Sequence, residues 1–267
     1  MTEFKVLQWN DFFDGPWSEE AQDRYLNGGY DGLSIAAGRE WSQNDLAFLD
    51  ELTGLRYLSL RVRLRNDLRA FEISSLENLV VDTGCRLSLP EGIVQPLVRT
   101  VVVLDRPHLE AGRRWPEIES LRIGMWKGTS LYFLGDARKL STLYLEGRRQ
   151  SGKLTGLEAC PSLHNLISVN FAISDTAPMR GLRELEEVRM MAARPTGPHT
   201  RVDLADFLGS KLRKLWISNA PQIFHVEALL DIPTIRDIRL IDCGLDPKQR
   251  QFLESMPIKG SLRLINS

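Results

Sequence analysis

Apolar residues recur along this chain in a six-residue phrase, apolar-x-x-apolar-x-apolar, and the phrase returns in phase from Tyr30 almost to the end. It is read at Tyr30 to Ile35, Leu55 to Leu60, Leu76 to Val81, Val98 to Val103, Ile118 to Ile123 and Leu140 to Leu145. It continues at Leu163 to Ser168, Leu185 to Met190, Leu212 to Ile217, Ile235 to Leu240 and, with a polar first position, Lys259 to Leu264. The alternation at the end of each phrase predicts a short strand. Its fourth and sixth residues turn to a core, and the residue between them turns to the opposite face.

The fourth residues form a ruler: Leu33, Leu58, Leu79, Val101, Leu121, Leu143, Leu166, Val188, Leu215, Ile238 and Leu262. The steps between them are 25, 21, 22, 20, 22, 23, 22, 27, 23 and 24 residues. One such phrase is commonplace, but a row at this spacing resembles the leucine-rich repeat family, whose units of about 20 to 29 residues carry LxxLxLxxN/C. Over residues 30 to 264 the resemblance implies an α/β solenoid: a curved parallel sheet of about eleven strands, backed by short helices, 3₁₀ turns and loops. It divides the chain into an N-terminal cap, 1–29, and a solenoid, 30–267. No unit of this size buries its own apolar side, so stability is expected only from the stacked row.

The chain departs from the family pattern five residues past the ruler, where Asn or Cys is usual. Cys243 matches there, whereas Arg63, Gly84, Arg106, Trp126, Arg148, Phe171, Ala193 and Ala220 do not, and Asn170, Asn219 and Asn266 fall one residue early. Ser168 is the polar exception among the inward residues. Between strands, segments such as Leu46 to Gly54 and Val202 to Ser210 suit short helices or 3₁₀ turns. In the cap, Ser18-Glu19-Glu20 opens a capped helix that ends at Asn27-Gly28-Gly29. Pro and Gly mark an irregular loop around Arg194 to Thr200.

Composition changes this picture little. Hydrophobic residues at 43% and charged residues at 26% suit a folded soluble protein. The 34 basic and 35 acidic side chains nearly cancel, so any charged recognition is local. Three widely spaced cysteines, Cys85, Cys160 and Cys243, form no CxxC pair, which fits a reducing, cytoplasmic setting. The N-terminus lacks the features of a secretion signal, and no apolar run reaches the roughly 18 residues of a membrane span.

The search for chemistry ends without a site. The chain holds no phosphate loop, HExxH or GxSxG motif, and His108, His164, His199 and His225 are scattered, so neither cofactor, metal nor catalysis is expected. Acidic pairs such as Glu19-Glu20 and Glu186-Glu187 read as solvated side chains. Arg56, Arg61, Arg63, Arg65 and Arg69, opposed locally only by Asp67, are the best argument for nucleic acid, but the outward strand positions as a whole mix both charges.

The column one residue past the ruler forms the centre of the strand face: Ser34, Ser59, Val80, Val102, Arg122, Tyr144, Ile167, Arg189, Trp216, Arg239 and Arg263. Its second half is rich in the residue types that dominate interface hot spots. Arg122, Tyr144, Ile167, Arg189, Trp216 and Arg239 are therefore the candidate contacts for a protein partner, flanked by Glu146, Glu187 and Asp237. Family members mostly bind proteins without catalysing reactions, which gives the favoured expectation. An immunity-type inhibitor, a recruiting module for a separate enzyme and, less favoured, a nucleic-acid binder are the alternatives.

Overall fold

The computed structural model describes residues 3–13, 15–36, 41–193, 201–258 and 260–265. The chain divides into two compact units, Met1–Ile118 and Glu119–Ser267. Both are of the α/β class, with parallel strands and little helix, and neither the Arg194 to Thr200 loop nor Asn266 lies within the described residues.

In the first unit, β1 (Val6–Gln8), β2 (Gly32–Ile35), β3 (Tyr57–Leu60), β4 (Asn78–Val81) and β5 (Thr100–Leu104) pair in that order, all parallel. Their register aligns Leu7, Leu33, Leu58, Leu79 and Val101, each fully buried, so the ruler is one column of the core. β1 extends this column into the segment expected to be a cap. Phe4, Leu7 and Trp9 carry the same phrase, 26 residues before Leu33. The helix α1 (Glu19–Asn27) follows, its first turn capped by the Ser18 hydroxyl, which accepts from the Ala21 amide at 3.2 Å. Between later strands the chain crosses in 3₁₀ helices at Ala47–Glu51 and Leu68–Phe71 and in the single helical turn α2 (Ala111–Arg114).

Two devices hold the longer crossings of this unit. Asp67 and Arg106, both side chains fully buried, form a two-armed ion pair at 2.9 and 3.0 Å, with Thr83 donating to Asp67 at 2.5 Å and the guanidinium over the Phe71 ring. Burial raises the Asp67 pKa, but the hydrogen bonds and charge of Arg106, helped by Thr83 and Cys85, hold the carboxyl below its usual range. Arg114 donates to the carbonyls of Pro90, Ile93 and His108, and Gln95 bridges Ala70, Ile73 and the Trp115 indole. These side chains satisfy the backbone of the stretch from Cys85 to Leu97, which has no strand of its own.

The second unit contains β6 (Ser120–Trp126), β7 (Thr142–Lys153), β8 (Asn165–Asp175), β9 (Glu187–Met191), β10 (Arg201–Asp203), β11 (Lys214–Ser218), β12 (Gln222–Phe224), β13 (Asp237–Ile241) and β14 (Ser261–Ile265). The strands that carry the phrase pair in the order β6, β7, β8, β9, β11, β13, β14, with the ruler residues from Leu121 to Leu262 in one column. β7 and β8 outrun the phrase. Their register shifts after Glu146 and resumes along a second stretch, whose continuation through β8 meets β10, which in turn pairs with β12. Gly147 stands at the bend, where a Cβ would come within 2.7 Å of Phe171 Cβ. Between strands lie 3₁₀ helices and α3 (Pro247–Ser255), whose Asp246 and Gln249 form a reciprocal capping box.

The missing Asn column is explained by backbone geometry. Met125, Asn170, Asn219 and Asp242, each four residues past the ruler, all have positive φ, between 52° and 59°. Asn and Asp tolerate the left-handed conformation better than other side chains, so the turn selects its residue there, one position early. Asn219 also donates to the Ala192 carbonyl at 2.7 Å, and the Cys243 thiol, at the position where the family's residue was expected, reaches the Ile217 and Ile241 carbonyls at 3.5 Å. Ser168, the polar inward residue, is fully buried and donates to the Phe171 carbonyl at 2.9 Å.

Candidate functional site

The six candidate residues all fall in the second unit and share one row. Backbone pairing places Arg122 beside Tyr144, Tyr144 beside Ile167, Ile167 beside Arg189, Arg189 beside Trp216 and Trp216 beside Arg239. Arg263 on β14 extends the row by one strand. Because side chains alternate along a strand, the inward neighbours are core and the row stands on the opposite face.

Within the row the large side chains stack. The Arg122 guanidinium lies 4.3 Å from the centre of the Tyr144 ring and pairs with Glu146 at 3.0 Å. Trp216 is held between two guanidiniums, Arg189 at 3.9 Å and Arg239 at 4.0 Å. Parallel strands set neighbours in a row about 4.8 Å apart, which suits flat groups lying face to face. Trp216 is therefore no free-standing anchor. Both ring faces have a cation, and the indole is half-buried.

The column on the other side of the ruler fixes those cations. Asp237 accepts from the Trp216 indole at 3.1 Å, from Arg239 at 3.2 and 3.1 Å and from Ser261 at 2.7 Å. Burial raises its pKa, and the hydrogen bonds from Ser261, Arg239 and Trp216 outweigh this and hold it below the ordinary carboxylate range. Glu187 pairs with Arg189 and, at 3.3 Å, with Lys214. Glu146, Glu187 and Asp237 thus each hold an arginine of the row, as their flanking positions suggest. The sequence puts Lys214 among the outward strand positions but not its pairing with Glu187, and Ser261 was not read from it; both stand one residue before the ruler, in the same column as Glu187 and Asp237.

The first half of the face is different. Ser34 and Ser59, expected to face outward, are 9% and 3% exposed, and Val80 is 8% exposed, so these small residues lie at the bottom of the first unit's strand face. The arginine cluster also resolves differently from its sequence. Asp67 is buried with Arg106 and opposes none of the five, whereas Arg56 pairs with Asp31 and Glu77, and Arg69 with Asp50 and Glu72. Arg61, Arg63 and Arg65 remain exposed.

Among the described residues, no group of three or more His, Cys, Asp or Glu side chains is placed to hold a metal ion, and no helix is long and apolar enough to cross a membrane. The three cysteines are buried and unpaired. Comparison with models of known protein families gives no match, and comparison with curated proteins gives none either.

Proposed function

We propose that the chain is a cytoplasmic leucine-rich repeat solenoid that binds a protein partner, without catalysis, on the strand face of its second unit. The observation that carries this reading is the row itself: Arg122, Tyr144, Ile167, Arg189, Trp216 and Arg239 are brought side by side across six strands. Arg, Tyr and Trp combine large contact area with polar groups, and here their conformations are set in advance by stacking and by carboxylates. Less side-chain entropy is then lost on binding. The solenoid reading rests on the ruler intervals and on the in-register column within each unit. Its cytoplasmic placement rests on the three buried thiols.

The test is affinity purification from the native cell with mass spectrometry, comparing the wild-type chain with Trp216→Ala and Arg65→Ala. The reading expects a protein retained by the wild type and by Arg65→Ala and lost by a folded Trp216→Ala. Retention by Trp216→Ala, with circular dichroism confirming its fold, would remove the row as the site.

A further inference from the structure

We infer that the strand face of the second unit selects an acidic, amphipathic segment of its protein partner; this inference rests on reading that face as the binding site. By composition the face is mixed. Its carboxylates, however, lie low and its cations lie on top. The side chains of Glu187 and Asp237 are 15% and 18% exposed, against 29%, 30% and 47% for Arg189, Arg239 and Lys214.

Hydrogen-bond capacity points the same way. Asp237 accepts four hydrogen bonds, from Trp216, from two nitrogens of Arg239 and from Ser261, about as many as the lone-pair sites a carboxylate offers. Arg239 spends two of its five N–H donors on that contact. Asp237 is thus saturated by its own neighbours and Glu187 is engaged by Arg189 and Lys214, while Arg239 keeps donors for an incoming group. Arg263, exposed at the end of the row, has Ser261 in the column where Arg189 and Arg239 have a carboxylate, and Ser261 is committed to Asp237. A partner carboxylate completes the pattern there. Glu146, 41% exposed, is the acid of this face that stays accessible, and it lies at the β7 end beside Arg122.

Two residues farther along the strands from β8 to β14 runs an apolar column, with Val169, Met191 and Ile241 half-buried and Ile265 45% exposed, interrupted by Ser218; on β7 the same column holds Glu146. Two residues of strand span about 6.6 Å, so the cationic and apolar columns run side by side. A segment lying along them meets donors on one flank and apolar contact on the other. That favours a peptide with acidic and apolar sides over a nucleic-acid backbone, which offers no apolar flank to this column.

The experiment uses the full chain and three probes: a fluorescein-labelled peptide of alternating Glu and Leu, its Gln and Leu counterpart, and a single-stranded oligothymidylate. Binding is followed by anisotropy and by the NMR shift of the Trp216 indole N–H, assigned with Trp216→Phe. The inference expects the Glu peptide to bind at least about tenfold tighter than the Gln peptide, to weaken with salt and to move the Trp216 signal. Arg263→Glu, which breaks no ion pair among the described residues, should reduce that affinity by about tenfold or more. Arg65→Glu, an equal change of net charge elsewhere, should leave it unchanged. Equal binding of both peptides with the Trp216 signal moving would overturn the acidic preference and leave the face as the site. Binding of the Glu peptide without movement of Trp216 would overturn the site as well. Tighter binding of the oligothymidylate at Trp216, or no binding of the Glu peptide at millimolar concentration, would also overturn the inference.

Discussion

Replacing Asp67 by Asn keeps the shape of a fully buried side chain and removes its charge, leaving the Arg106 guanidinium without a counter-ion. Two short contacts to Arg106 and one to Thr83 converge on the carboxylate. An Asn can accept one of the Arg106 contacts but must aim an amide N–H₂ at the other donor. With both side chains shut off from water, solvent screening recovers little. Breaking a buried pair from one side costs about 3 to 5 kcal/mol, most of it the penalty of an unpaired buried charge. The contrasting change is Asp50→Asn at the solvent-exposed Arg69 pair, where water replaces the lost partner and the midpoint should barely move. Urea unfolding followed by circular dichroism measures both. The double variant Asp67→Leu with Arg106→Met should regain much of what Asp67→Asn loses, because it leaves no orphan charge. A linkage follows. Asp67 has its folded pKa below its unfolded one, so its stabilisation is present above about pH 4 and is lost as pH falls through the folded value. Asp67→Asn should flatten that acid limb. If Asp67→Asn unfolds at the wild-type midpoint, or the double variant is less stable than Asp67→Asn, the argument from desolvation is refuted.

Leu143→Ala should cost about 2 to 5 kcal/mol by opening a cavity in the ruler column, and Arg122→Ala, on the exposed side of the same sheet, should cost far less; equal unfolding free energies would reverse the assignment of faces. With a partner in hand, calorimetry should show Trp216→Ala weakening binding by about 2 kcal/mol or more, since it removes the plate on which Arg189 and Arg239 stack; unchanged affinity would refute the site. Burial first, and then Glu158 and Asp136, push the Cys160 thiol up to about 12, so at pH 8 a thiol reagent should reach it only on unfolding; rapid native labelling at Cys160 would contradict its burial.

The strands were legible because one periodicity decides them. A residue that must be inward every second position, in units spaced alike, leaves few choices, and each ruler residue from Leu33 to Leu262 sits in a strand. The same phrase at Phe4, Leu7 and Trp9 was readable by the same rule but is masked by the aromatic residues around it. The extensions of β7 and β8 and the pairing of β10 with β12 were not readable. They depend on contacts between distant turns and carry no alternation of their own. The row from Arg122 to Arg239 was legible as a column. Its clamp was not, because whether Trp216 faces water or a guanidinium is decided by neighbours 27 and 23 residues away. Asp67 and Arg106, 39 residues apart, illustrate the same limit: read locally, Asp67 belonged to the wrong arginines.

The long pairing of β7 with β8 sets how the second unit opens. In a row of parallel strands each strand is held chiefly by its immediate neighbours, so local opening starts where the neighbours are fewest. β7 and β8 are joined along two stretches, whereas β14 ends the order and is paired with β13 alone, from Asp237–Ser261 to Ile241–Ile265. Amide hydrogens of β8 should therefore exchange with solvent most slowly, and those of β14 most quickly, with β9, β11 and β13 graded between. Trp216 and Arg239 then lie on the fraying side and Tyr144 beside the slow centre. A ligand spanning the row would protect the amides of β13 and β14 far more than those of β7, so the exchange pattern alone would show how far along the row it reaches.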